Sequence, residues 1–232
     1  MKLHAFILPI LFALIIGLFS SDASDIRTKN VSINTGSVEG VALLAPKNQP
    51  VRFGGGFYGR PTSSNSSQAS SDSILVVLKG ESVHLENSDR FQVLNQKDQE
   101  FMPSLLPVTL GEKVRIKNSD PVYHNVFSLT SPNKFDVGRR PKGEHFDVTF
   151  DKAGVVDVFC DIHSNMYAII YVLPEGTVAW TKIKSGDSFS FQNISAGSYE
   201  LSLFALGYKE NTTQINVHDG EAFQTGAITI NP

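Results

Sequence analysis

The chain has 232 residues and a net charge of −3, with 41% hydrophobic and 19% charged residues. That is long and apolar enough to build a core, as one large β domain or two small ones. The absence of a basic excess argues against nucleic acid as a partner, and no long stretch carries helical periodicity.

The N-terminus reads as an export signal. Lys2 supplies the positive start, residues 5–19 are almost wholly apolar, and Ser21, Asp22 and Ala23 put small residues at the usual cleavage spacing. Residues 1–23 are therefore expected to be a signal peptide, leaving a periplasmic or secreted chain that begins near Ser24. The apolar run falls short of the roughly 20 residues that span a bilayer, so no integral membrane span is expected after cleavage.

Residues 30–86 read as an N-terminal β segment. Residues 37–44 have strand character, and Gly54, Gly55 and Gly56 break it. Residues 62–73 form a Ser-rich tract with no means of building a core, expected to be an exposed loop. Ile74, Leu75, Val76, Val77 and Leu78 read as a buried strand.

Residues 87–173 form a central domain with repeated strand signals. Val114 and Ile116 alternate with Lys113, Arg115 and Lys117, the period of a half-buried strand. Phe146, Val148 and Phe150 alternate again, and runs at 155–159 and 167–172 follow. Short strands divided by turns predict a sandwich or barrel. Residues 174–232 are also β. Phe189 and Phe191, Leu201 and Leu203, then Ile215 and Val217 alternate with polar residues between turns at Gly186, Gly197 and Gly220. They predict a second, smaller sandwich.

Cys160 is the single cysteine. Exported proteins usually spend cysteines in disulfide pairs, so a lone thiol calls for burial, a partner chain, catalysis or a metal. Three residues on comes His163, and three further Met166, in a loop starting where the 155–159 strand ends. Thiolate, imidazole and thioether form a soft donor set, and two His, one Cys and a weak axial Met is the arrangement of blue-copper sites. His124 is the best second imidazole, on a loop between strands after the Asp120-Pro121 pair.

The alternatives are weaker. Zinc takes Cys and His, but Met is not among its usual donors. A dinuclear copper centre needs two bridging cysteines, and covalent haem needs a second cysteine as well. A Cys/His nucleophile usually has its His far away in sequence. A buried structural Cys beside an exposed His is the plainest alternative. Of the other histidines, His4 lies in the signal, His84 and His218 read as surface residues, and His145 opens a strand. Met102 reads as core rather than ligand.

At these residues the chain resembles the cupredoxin superfamily, of the plastocyanin and amicyanin type. The short loop from Cys160 to Met166 is similar to that of amicyanin, and the His124-Asn125 pair follows the cupredoxin pattern. A wider resemblance is to methylamine-utilisation-like exported proteins of bacteria, in which carboxypeptidase-regulatory-like segments flank a cupredoxin domain. Phe101-Met102-Pro103, Asn118-Ser119-Asp120 and the stretch 189–199 carry it.

The resemblance implies an all-β fold: a cupredoxin Greek-key β-sandwich over 87–173, plus a smaller β-sandwich built from the flanking segments, 174–232 being the carboxypeptidase-regulatory-like domain. It implies that Asn125 braces the two ligand loops, although Asp161 stands where the family commonly has Ser or Thr after the Cys. It also implies that the exposed edge of His163, ringed by apolar residues, is the electron port toward a redox partner protein.

The function expected is one-electron transfer by one type 1 copper ion, held by His124, Cys160, His163 and Met166. No second metal cluster or acid–base pair suggests an enzyme. The alternative is a non-redox copper carrier, or a β-sandwich interaction module with structural copper.

Overall fold

The computed structural model describes residues 35–47, 72–81 and 91–232. The expected signal peptide at 1–23, the glycines at 54–56, His84 and nearly all of the Ser-rich tract lie outside the described residues. Ser73, the last residue of that tract, already belongs to a strand.

The described residues hold sixteen strands and no helix. In chain order they are β1 (Thr35–Leu44), β2 (Ser73–Lys79), β3 (Gln92–Lys97), β4 (Glu100–Met102), β5 (Leu105–Val108) and β6 (Lys113–Asn118). Next come β7 (Phe127–Ser128), β8 (Phe135–Asp136), β9 (His145–Thr149), β10 (Gly154–Phe159) and β11 (Tyr167–Val172). The last are β12 (Thr177–Lys184), β13 (Ser188–Ser195), β14 (Gly197–Ala205), β15 (Asn211–Val217) and β16 (Ala222–Ile230). The all-β class expected from alternation and turn spacing is what the structure shows.

These strands form four sheets. The orders β4-β3-β6-β9 and β5-β11-β10-β7-β8 face each other as one sandwich, and β12-β2-β14-β15 and β13-β1-β16 as another. The first core is filled by Leu94, Val114 and Ile116 on one side and Val156, Val158, Ala168 and Ile170 on the other. The second is filled by Val38, Phe189 and Phe191 against Ile74, Val76, Leu78, Leu201 and Leu203. The second sandwich takes strands from both ends of the described chain, because β1 pairs parallel with β16.

A third apolar layer joins the two sandwiches. Leu75 and Val77 of β2 pack with Leu105, Tyr167, Ile169 and Tyr171. This explains two runs that carry no polar residue. In β2 the residues Ile74, Val76 and Leu78 enter the second core, while Leu75 and Val77 enter the joining layer. In β11 the residues Ala168, Ile170 and Val172 enter the first core, while Tyr167, Ile169 and Tyr171 face the joining layer. A strand covered on both faces has no side left for water, so its sequence does not alternate. Both sandwiches belong to one compact unit, Ile33–Pro232.

Two expectations need correction. Phe146 is 42% exposed although it lies opposite Ile116 on the face that Val148 shares; it sits at the start of β9, and its ring lies under the Arg140 guanidinium, 5.5 Å from centroid. Met102 is 40% exposed, and Phe101 beside it fills the core instead. For Met102 the reason is that period two puts it and Phe101 on opposite faces, and only the neighbouring sheet decides which face is covered.

Candidate metal centre

The site is built where two loops leave neighbouring strands. β10 pairs antiparallel with β7 through Phe159 and Phe127. Just beyond this pair, the chain continues into Cys160 on one side and comes from Asn125 and Val126 on the other. β10 also pairs with β11 through Phe159 and Tyr167, so residues 160–166 are a loop closed at its base by strand pairing. Inside it, the Met166 amide donates to the His163 carbonyl at 3.0 Å.

The loops bring three side chains together. Cys160 Sγ lies 3.8 Å from His124 Nδ1 and 3.8 Å from His163 Nδ1, and the two Nδ1 atoms are 3.0 Å apart. Among the described residues this is the one group of three metal donors from His, Cys, Asp or Glu that converges. Metal bonds to nitrogen and sulfur run at about 2.0–2.3 Å, so donors around one ion stand roughly 3–4 Å apart. The observed separations fit one ion among the three atoms. Met166, at the end of the same loop, is buried in the same core cluster as Cys160.

Burial is uneven. His124 is fully buried and Cys160 is 2% exposed, whereas His163 is half-buried and is the donor that reaches solvent. Exposed apolar side chains stand beside these ligands in sequence: Val122 and Tyr123 before His124, and Ile162 before His163. Burial, followed by the neighbouring His124, pushes the His163 imidazole below its ordinary pKa. The neutral ring, the form that binds a metal, is thereby favoured.

The residue that sequence reasoning missed is Asp120. Its carboxylate lies 2.7 Å from His124 Nε2. It also accepts the amides of Asp98 at 2.6 Å and Gln99 at 2.9 Å. Burial pushes the Asp120 carboxyl up, but the hydrogen bonds from Gln99, His124 and Asp98 outweigh that and hold it below the usual carboxylate range. Asp98 and Gln99 form the two-residue turn between β3 and β4, with φ of 55° and 57°. Left-handed φ at both turn residues matches the twist of a tight hairpin. The signal was present in sequence only as an Asp four residues before a His.

Asn118 shapes the same loop. Its Nδ2 donates to the carbonyls of Val122 at 2.8 Å and Arg140 at 2.9 Å, and its Oδ1 accepts the Asp120 amide. His124 and Arg140 then exchange backbone hydrogen bonds at 3.1 and 2.7 Å. Asn125, expected to brace the two ligand loops, has its Oδ1 on the Val126 amide within its own loop. Asp161 reaches across the surface to Arg139 at 3.6 Å. His145 and His218 are exposed, as expected for residues outside the site.

Residues 178–225 match the family described as polysaccharide lyase family 4, domain II. No curated protein matches the chain. Among solved structures, a reduced amicyanin variant is similar at 23% identity with a TM-score of 0.35, over 38% of this chain and 87% of that one. A purple cupredoxin from Nitrosopumilus maritimus is similar at 21% identity with a TM-score of 0.32, over 35% of this chain and 99% of that one. Amicyanin from Paracoccus versutus (Thiobacillus versutus) is similar at 22% identity with a TM-score of 0.34, over 37% of this chain and 84% of that one.

Proposed function

We propose that this protein is a type 1 copper protein that carries single electrons between redox partners in the periplasm or outside the cell. The observation that carries this reading is the convergence of His124 Nδ1, Cys160 Sγ and His163 Nδ1 in a largely buried loop cluster. Met166 in the adjoining core supports copper over zinc, because a thioether suits Cu and is not a usual zinc donor. His124, Cys160 and His163 would hold the ion, and the Met166 thioether would be its fourth, weaker donor. Copper supplies the one-electron couple between Cu(II) and Cu(I).

The chain's own residues do the rest. The paired bases of β10, β7 and β11 hold the donors so that little has to move when the charge changes. The apolar first core keeps water from Cys160. His163, alone of the three donors in reaching solvent, offers the short route to a partner, and the exposed Val122, Tyr123 and Ile162 give that partner an apolar surface.

The test is the visible spectrum after adding one equivalent of Cu(II) to the mature protein and to Cys160→Ala. An intense thiolate-to-Cu(II) charge-transfer band in the orange-red, which colours the protein blue, is expected in the wild type, bleached by reductant, restored by oxidant and absent from the variant. A folded wild-type protein that gives no such band sinks the copper reading. A band that cannot be cycled would leave a copper carrier instead of an electron carrier.

A further inference from the structure

Asp120 is a buried carboxylate with one side-chain partner, the ligand His124. It is 4% exposed, it faces the fully buried His124 ring, and it also accepts two backbone amides from a different hairpin. An imidazole has one proton to place when neutral. With a carboxylate 2.7 Å from Nε2, the proton belongs on Nε2, and the Nδ1 lone pair is left facing Cys160 and His163.

We propose that Asp120 is a positioning residue that locks His124 in the Nε2–H tautomer and, through that ring, favours Cu(II) over Cu(I). This rests on the copper reading above. A carboxylate behind a ligand imidazole raises its basicity. In a buried setting its negative charge also acts across a low dielectric, so it stabilises the more positive ion to a greater degree. The Asp98–Gln99 turn is part of the device, because its two amides keep the carboxylate from rotating away.

The test has two arms on the full mature chain. In the metal-free wild type, ¹⁵N-resolved NMR of the imidazoles should show His124 as the Nε2–H tautomer alone, and Asp120→Asn should show both tautomers. Predominant Nδ1–H in the wild type overturns the proposal, whether or not the variant folds. In the loaded protein, Asp120→Asn should lose Cu(II) affinity by about 10–100-fold and Cu(I) affinity by less, which moves the reduction potential upward. Equal losses for the two ions would mean that Asp120 only supports the loop, and would overturn the redox half. A wild type with no blue band would fail the copper reading alone, and the tautomer assignment would then be decided by the metal-free spectrum.

Discussion

Copper at a free concentration 1,000-fold above its Kd should raise the thermal midpoint of the wild type by roughly 8–16 °C. A ligand that binds only the folded state stabilises by RT ln(1 + [L]/Kd), about 4 kcal/mol at that excess. In a domain of this size each kcal/mol shifts the midpoint by about 2–4 °C. The unfolded chain keeps its Cys and His donors and retains some affinity, so the observed shift should lie at or below that range. The folded site supplies something the unfolded chain lacks: His124 and Cys160 come from loops 36 residues apart and meet only because β7 pairs with β10. Cys160→Ala should abolish most of the shift, because the thiolate is the strongest donor in the set. Differential scanning calorimetry with and without copper checks this. An equal shift in both proteins would show that the metal binds elsewhere.

Leu75→Ala and Leu78→Ala should each cost about 2–5 kcal/mol, the usual range for a fully buried leucine. Both side chains have no exposed surface, yet they point opposite ways from one strand. Leu78 fills the core of the second sandwich, and Leu75 fills the layer that joins it to the first. If the sandwiches were two loosely touching domains, removing Leu75 would be far cheaper than removing Leu78. The joining layer is instead closed by Tyr167, Ile169, Tyr171 and Leu173 at exposures of 7% or less. Urea unfolding of the two variants compares the costs. A loss under about 1 kcal/mol for Leu75→Ala would contradict the four-layer stack.

The local part of this molecule was legible in one dimension. Period-two alternation marked β6, β9, β13, β14 and β15, strand character marked β1, and the apolar runs marked β2, β10 and β11, because side-chain direction in a strand follows from backbone geometry alone. The spacing of Cys160, His163 and Met166 is equally local, since one short loop holds all three. What the runs at 74–78 and 167–172 could not say is what covers each face. That was decided by the joining layer, and the same ignorance placed Met102 in a core it does not enter, while Phe146 lies on the covered face of β9 but at the strand's start.

Pairings between distant segments were decided only by the tertiary structure. β16 had no reading from sequence, and it completes its sheet by lying parallel to β1, nearly two hundred residues away. β12 was missed as well, and it pairs with β2 across the 82–173 region. At the site, Asp120 looked like a turn residue before Pro121. It became a partner of His124 only when the β3–β4 hairpin delivered two backbone amides to its carboxylate. A sequence can announce which donors suit a metal. The hydrogen bonds that fix Asp120 behind His124 come from backbone groups, which carry no residue code and become visible only once the chain has folded.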